Sequence, residues 1–243
     1  MKFRVLGPVE LFAPSGVIAI KAPGRRALLA ALLLAANQVV PVPRLVDAIW
    51  GQCPPPSAVP NLRNQVAALR RTLSPVAPGE RLVTRSGGYL LVVKPGELDL
   101  TVFETLVRQG RYAQQYGRPA DAAEAFGRAL GLWRGEPLAN VAGCAPDVAR
   151  LDEARLTVVE EYVRARLNCG EFTAVVEELQ GLVVRYPLRE SLWELLMLAL
   201  YRSGRQADAL IAYGQARTRL AEELGLDPGP NLREAQLRIL TGA

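Results

Sequence analysis

Residues 57–73 combine apolar positions at helical spacing with side chains that hydrogen-bond to base edges. The apolar positions recur three and four residues apart and predict an amphipathic helix with one buried stripe. That stripe comprises Val59, Leu62, Val66, Leu69 and Leu73. The other faces carry polar, basic and small side chains: Asn61, Arg63, Asn64, Ala67, Arg70 and Arg71. Because arginine and asparagine form paired hydrogen bonds with guanine and adenine edges, this helix has the chemistry to read duplex DNA.

A basic β-hairpin is predicted shortly after this helix. Two β-rich runs, residues 81–85 and 89–93, flank Ser86-Gly87-Gly88, and a glycine pair between such runs is typical of a tight turn. Arg81 and Arg85 bring positive charge to the hairpin. Such a hairpin can lie on DNA phosphates or enter the minor groove, although a Ser-Gly-Gly turn is equally an ordinary connection.

A second basic cluster lies where the first long helix is predicted to begin. A strongly apolar helix is predicted over residues 24–36. Lys21 lies just before this helix, and Arg25 and Arg26 lie in its first turn. A helix N-terminus offers free backbone N–H groups to a phosphate. We therefore expect Arg25 and Arg26 to contact the DNA backbone.

The order of elements in the first hundred residues is that of a winged helix-turn-helix. Short strands over residues 2–20 are followed by helices over 24–36, 43–50 and 57–73, and then by the hairpin. Ser57 is a plausible N-cap of the third helix, and Pro60 is tolerable because it falls in the first turn. Within a winged helix, the third helix is the one that enters the major groove.

From Leu98 onward the chain is predicted to be helical, with glycines at related places. Residues 117–122 resemble residues 204–209, and residues 170–175 form a weaker copy. Gly170 and Gly204 are 34 residues apart, which is the tetratricopeptide period. The first spacing is longer, and we expect an insertion over residues 134–146. The fold class is therefore mainly α with a small β component, a winged helix followed by stacked helical hairpins.

Composition excludes several kinds of catalytic and metal site. The 243 residues contain no histidine, which rules out Ser-His-Asp triads and His-containing zinc sites. The cysteines Cys53, Cys144 and Cys169 lie far apart and are odd in number, so we expect reduced thiols. No phosphate-binding GxxxxGK[ST] loop is present. We therefore expect no enzyme activity, no cofactor and no metal.

Positive charge is concentrated in the first two-fifths of the chain. Residues 1–97 carry a net charge of +8, and the remainder carries −3. This asymmetry is typical of a nucleic-acid-binding part joined to a part with another role, although a well-solvated basic domain would look the same. The longest apolar run, residues 27–36, is too short to span a membrane. With no signal peptide at its start, the protein is expected to be cytoplasmic and associated with the nucleoid, without membrane contact.

Four stretches of this sequence resemble the Streptomyces antibiotic regulatory protein (SARP) family of transcriptional activators. They lie over residues 5–10 with 26–33, residues 45–51 with 55–56 and 69–71, residues 88–91, and residues 132–135 with 197–207 and 223–230. The resemblance implies an OmpR-type winged-helix DNA-binding domain over residues 1–97. It implies a bacterial transcriptional activation domain, tetratricopeptide-like, over residues 98–243. Nothing in the sequence matches the ATPase or receiver domains of larger relatives.

The resemblance also implies function and partners. SARP proteins bind promoter direct repeats as head-to-tail protomers, recruit RNA polymerase, and activate secondary-metabolite (antibiotic) biosynthesis clusters. The positions that match the recognition helix are Asn61, Arg63, Asn64, Ala67, Arg70 and Arg71. Those that match the wing are Arg81, Thr84, Arg85, Gly87 and Gly88. The loop implied to face polymerase contributes Gly51, Gln52, Pro54, Pro55 and Pro56.

A function of another class remains open on the residues alone. Stacked helical hairpins also form scaffolds that bind peptide partners, with the basic domain packed against them. The two hypotheses differ in one measurable property: only a DNA-binding activator loses sequence-selective DNA affinity steeply with salt.

Overall fold

The computed structural model describes residues 2–13, 16–75 and 79–242. The chain divides into two compact units. The first comprises Met1–Arg108 with Arg128–Arg155, and the second comprises Gln109–Gly127 with Leu156–Ala243. Each unit is described separately below.

The first unit begins with a small antiparallel sheet, as the sequence predicts. Strands β1 (Lys2–Arg4), β2 (Glu10–Ala13) and β3 (Gly16–Ile18) lie in the order β1-β2-β3. Phe3 pairs with Leu11, and both side chains are fully buried. Because side chains alternate along a strand, Arg4 and Glu10 remain partly exposed at the next position and approach to 3.7 Å.

Three helices follow, at the predicted places. They are α1 (Pro23–Leu34), α2 (Val42–Trp50) and α3 (Ala58–Leu73). Pro23 lies at the start of α1, where its missing N–H costs no hydrogen bond. Leu28, Leu29 and Leu32 of α1 are fully buried, and this apolar helix forms the centre against which α2 and α3 pack.

The hairpin belongs to a second three-stranded sheet. Strands β5 (Leu82–Arg85) and β6 (Gly88–Leu91) form the hairpin, and β6 also pairs with β4 (Val39–Pro41). Gly88 permits this close approach, because a Cβ at that position would lie 2.1 Å from the carbonyl oxygen of Val40. Strand β4 has only three residues and was not predicted from the sequence.

The described residues after the hairpin are mainly helical, as predicted. The bounds are α4 (Asp99–Gln115), α5 (Pro119–Leu130), α6 (Ala145–Asn168), α7 (Phe172–Arg185), α8 (Glu190–Arg202), α9 (Gln206–Leu224) and α10 (Pro230–Thr241). Gly117, Gly170 and Gly204 follow α4, α6 and α8 with φ of +66°, +83° and +76°. This left-handed conformation favours glycine, which explains why the glycines mark the repeat.

The irregular segment between α5 and α6 packs inside the first unit. The Arg134 N–H donates to the Leu6 carbonyl at 2.8 Å, and the Leu138 N–H donates to the Val5 carbonyl at 3.1 Å. Asn140 accepts a hydrogen bond from the Val9 N–H at 2.8 Å. The predicted insertion over residues 134–146 is therefore a structural part of this unit.

The second unit has its own core among α6–α10. Leu179, Leu192, Met197 and Ala209 are fully buried in one apolar cluster. The indole N–H of Trp193 donates to the Pro187 carbonyl at 2.8 Å, which satisfies the polar atom of a buried aromatic ring. These helical hairpins confirm the predicted tetratricopeptide-like arrangement.

Within the described ranges, 2–13, 16–75 and 79–242, no helix is long and apolar enough to cross a membrane. The same residues contain no cluster of three or more His, Cys, Asp or Glu side chains that could hold a metal ion.

Candidate nucleic-acid interface

Helix α3 buries one stripe and leaves another open, with one change from the predicted register. Leu62, Val66, Leu69 and Leu73 are buried as expected, but Val59 is 41% exposed. The prediction that Val59 belongs to the core was wrong, because Ala58 at the first helical position is buried instead.

The exposed stripe of α3 carries most of the predicted base-reading positions. Its exposed members are Asn61, Arg63, Asn64, Ala67 and Arg71. No carboxylate of the described residues lies within 4 Å of a guanidinium nitrogen of Arg63 or Arg71. Both side chains therefore carry exposed positive charge without an ion pair. Pro60 in the first turn of the helix and Ser74 at its C-cap are also exposed and were not predicted to belong to this face.

The N-terminus of α3 differs from the predicted cap. Ser57 occupies the N-cap position but makes no side-chain capping bond to the helix backbone. Its hydroxyl instead accepts a hydrogen bond from the Asn61 amide at 3.1 Å. The Asn61 side chain is therefore partly engaged within the helix, whereas Asn64 makes no comparable contact among the described residues.

Arg70 points towards the hairpin. Its Nε donates to the Leu82 carbonyl at 2.8 Å, and its Nη2 donates to the Thr84 hydroxyl at 2.8 Å. Nη2 also lies 4.0 Å from Glu80. Arg70 is half-buried, so its main contacts tie α3 to β5. We therefore remove Arg70 from the set of direct base readers.

Arg81 is a buried structural residue, which corrects its assignment to the DNA-contacting wing. Only 6% of its side chain is exposed, and two of its nitrogens contact the Glu97 carboxylate at 2.8 and 3.0 Å. Burial raises the pKa of Glu97, but the hydrogen bonds from Arg81 and the Lys94 N–H and the charge of Arg81 outweigh it. The net pKa of Glu97 is lowered. No sequence pattern marked this partner, which lies 16 residues further along the chain.

The tip of the hairpin is open. Thr84, Arg85 and Gly87 are exposed, whereas Gly88 is buried against β4. Gly87 has a φ of +77°, and a Cβ added at this position would meet nothing within 4 Å. Gly88 is therefore a packing residue and not a contact residue, while Thr84, Arg85 and Gly87 are accessible to a ligand. We call the β5–β6 hairpin the wing.

The cluster at the start of α1 is only partly free. Arg26 donates to the carbonyls of Ile20, Lys21 and Asn140, each at 3.0 Å, so its guanidinium holds the backbone of the first unit. These bonds contradict its assignment as a free phosphate contact. Arg25 is half-buried, and its Nε is buried without a hydrogen-bond partner among the described residues.

The loop between α2 and α3 is exposed at nearly every position. Gly51, Gln52, Pro54 and Pro56 are exposed, and Pro55 is half-buried. Gly51 ends α2 with a φ of +62°, and the Pro55 carbonyl accepts from the Ala58 N–H at 2.9 Å. Three prolines hold this loop in a restricted set of conformations.

The second unit contains a groove of about 590 Å³ among α7, α8 and α9. Leu196, Leu200 and Ala212 form its apolar lining, and Arg219 and Glu223 contribute charge. No sequence motif marked this groove, because its lining comes from three helices.

Known proteins share this combination of units. A family model described as the bacterial transcriptional activator domain matches residues 98–240. The chain is 42% identical to the regulatory protein AfsR of Streptomyces griseus, over 99% of the chain and 24% of that protein. It is 38% identical to the regulatory protein DnrI of Streptomyces peucetius, over 99% of the chain and 92% of DnrI. The chain thus spans about a quarter of AfsR and nearly all of DnrI.

A solved structure has the same fold. It is Mycobacterium tuberculosis EmbR in complex with a low-affinity phosphopeptide, with a TM-score of 0.95 and 34% identity. The match covers 99% of this chain and 65% of that one.

The winged helix and the tetratricopeptide-like helices define a transcriptional regulator of the kind to which these relatives belong. The chain belongs to the Streptomyces antibiotic regulatory protein (SARP) family of transcriptional activators. The relatives named above are regulatory proteins.

Proposed function

We propose that this chain is a sequence-specific DNA-binding activator whose helix α3 enters the major groove. Arg63, Asn64, Ala67 and Arg71 face the base edges, and the wing contacts the phosphate backbone or the minor groove. The observation that carries this proposal is the unpaired positive charge of Arg63 and Arg71 on an exposed helix stripe. Such groups form bidentate hydrogen bonds with guanine once they reach a base edge.

The further parts of the proposal follow the family. Residues 1–97 form the DNA-binding domain and residues 98–243 the activation domain. The chain binds promoter direct repeats as head-to-tail protomers in the cytoplasm, at the nucleoid. It recruits RNA polymerase through the loop of Gly51, Gln52 and Pro54–Pro56, and it activates a secondary-metabolite cluster without catalysis or a cofactor. The exposed, proline-restricted form of that loop supports its role as a protein contact.

The decisive experiment changes Arg71. A duplex pool with randomised bases is selected on the wild-type chain and on Arg71→Ala, and the bound sequences are compared. We expect preference at one base pair to fall by about 1–3 kcal/mol, with the other positions unchanged. Arg219→Ala is the matched control, because Arg219 is an exposed arginine of the second unit. An identical base profile for Arg71→Ala would show that the recognition face is assigned wrongly.

The alternative is a helical-repeat scaffold without specific DNA binding, and the groove among α7, α8 and α9 is the observation that favours it. Titration onto duplex DNA at 50 and 200 mM salt separates the two. An activator with several phosphate contacts loses affinity by orders of magnitude over this range. A scaffold shows no sequence-selective binding at either salt concentration.

A further inference from the structure

Arg70 joins the helix that carries the base-reading stripe to the hairpin that carries the wing. It lies in the last turns of α3, and its two hydrogen bonds reach the Leu82 carbonyl and the Thr84 hydroxyl, both at 2.8 Å. Because the guanidinium is planar, two bonds from different nitrogens fix its orientation. The bond to a backbone carbonyl fixes β5 relative to α3.

The bond to Thr84 has a chemical consequence for the hydroxyl. A hydroxyl has one proton to donate and two lone pairs to accept. The Thr84 oxygen accepts from a charged donor, and its own proton then points away from Arg70. Thr84 is exposed, and its hydroxyl donates to no acceptor among the residues that the structure describes. A hydrogen bond from a charged donor also polarises the hydroxyl and makes it a better donor.

We propose that Arg70 is a positioning residue that acts through Thr84, so that the wing hydroxyl donates to a DNA phosphate while α3 lies in the major groove. This inference rests on the proposed DNA-binding function. It assigns Arg70 no direct contact with DNA. It also links two parts of the interface, because the same side chain sets the distance between the helix and the wing.

The test uses a duplex selected on the wild-type chain and measures two quantities for each variant. The first is affinity, and the second is interference by ethylation of individual phosphates. Thr84→Val removes the hydroxyl at nearly constant shape, whereas Thr84→Ser keeps it. We expect Thr84→Val to lose about tenfold in affinity, the worth of one hydrogen bond to a charged group, together with interference at one phosphate. Thr84→Ser should retain both.

Arg70 variants test the action through Thr84. Arg70→Gln should lose the same phosphate interference as Thr84→Val, and the double variant should bind no more weakly than Arg70→Gln alone. Arg70→Lys keeps the charge but cannot reproduce the planar fork, so it should resemble Arg70→Gln. A direct phosphate contact by Arg70 predicts instead that lysine restores affinity and that the two single losses add. Thermal unfolding of every variant identifies those that fail to fold.

The outcomes separate this inference from the function on which it rests. If the wild-type chain selects no preferred duplex, the proposed function fails and the inference fails with it. If the wild type selects a duplex but Thr84→Val binds it like the wild type, only the inference is overturned. That result does not depend on whether the Arg70 variants fold. Additive losses, or wing-phosphate interference that persists in a folded Arg70→Gln chain, overturn it equally.

Discussion

Arginines in the second unit and arginines on α3 and the wing meet different partners. In the second unit most arginines lie beside a carboxylate, as in the pairs Arg111–Glu161, Arg166–Glu178 and Arg205–Asp208 at 2.7–2.9 Å. Arg63, Arg71 and Arg85 are exposed, and among described residues no carboxylate oxygen lies within 4 Å of their side-chain nitrogens.

This contrast separates arginines whose charge is paired with a carboxylate of the chain from arginines whose charge can still attract an anion such as a phosphate. Ion pairs on helix surfaces contribute little individually but neutralise the charge locally. An unpaired guanidinium keeps its full attraction for an anion, and that attraction weakens with salt. Net charge alone shows only that residues 1–97 are basic, whereas the pairing shows which arginines on α3 and the wing keep an unpaired charge.

The largest expected effect concerns Arg81, which directly precedes β5 and, unlike Arg85, is paired with a carboxylate. Glu97→Gln leaves the buried Arg81 guanidinium uncompensated and should lower the free energy of unfolding by about 3 kcal/mol at pH 7. Urea unfolding measures this loss. Glu80→Gln, whose carboxylate is exposed and 4.0 Å from Arg70, is the control and should cost far less. Equal losses for the two variants would contradict a structural role for Arg81.

The same variant has a defined pH dependence. The pKa of Glu97 is lowered in the folded chain from an ordinary value of 4.5. Its stabilising contribution is therefore fully present above pH 4.5 and is lost as pH falls through the folded pKa. The difference in unfolding free energy between wild type and Glu97→Gln should thus be constant from pH 7 to about 5 and shrink below 4.5. A difference that grows with acidification would contradict the sign of this shift.

A smaller effect tests the unpaired side of the contrast. Arg85→Gln should weaken binding to all duplex sequences alike and reduce the slope of log affinity against log salt by about 1. Fluorescence anisotropy between 50 and 200 mM salt measures the slope. Arg219→Gln changes the net charge equally but lies in the second unit, so it should leave the slope unchanged. Equal slopes for Arg85→Gln and the wild type would place Arg85 outside the interface.

The smallest effect concerns a paired arginine of the second unit. Arg205→Gln removes an exposed pair with Asp208 and should change the free energy of unfolding by less than about 1 kcal/mol. Duplex affinity should not change. Denaturant unfolding and fluorescence anisotropy on the same sample check both statements. A tenfold loss of DNA affinity would show that a paired arginine of the second unit also contributes to DNA binding.

The order and type of the elements were predictable because they depend on local patterns. The spacing of Leu62, Val66, Leu69 and Leu73 was sufficient to place α3 and its exposed stripe. Gly170 and Gly204 marked the helical repeat because a left-handed conformation requires glycine. Strand β4 was not predicted, since three residues carry too little periodicity to distinguish a strand from a loop.

The roles of individual arginines depended on partners that are distant in sequence. Arg81 and Arg85 are equivalent basic residues in the predicted hairpin. In the structure Arg81 is buried and paired with Glu97, whereas Arg85 is exposed. Arg26 was assigned to DNA, but its bonds include the carbonyl of Asn140, 114 residues away. Sequence patterns indicate which face of an element is polar, but tertiary contacts decide which polar groups remain free.

The contacts of Asn140 also set the order of events during synthesis of the chain. Its side chain accepts from the Val9 N–H, 131 residues earlier, and its carbonyl accepts from Arg26. A ribosome adds about 5–20 residues per second, so Val9 waits about 7–26 s for this partner. The winged helix is therefore synthesised before the residues that pack against its first sheet. This packing is completed only when the segment after α5 has been translated.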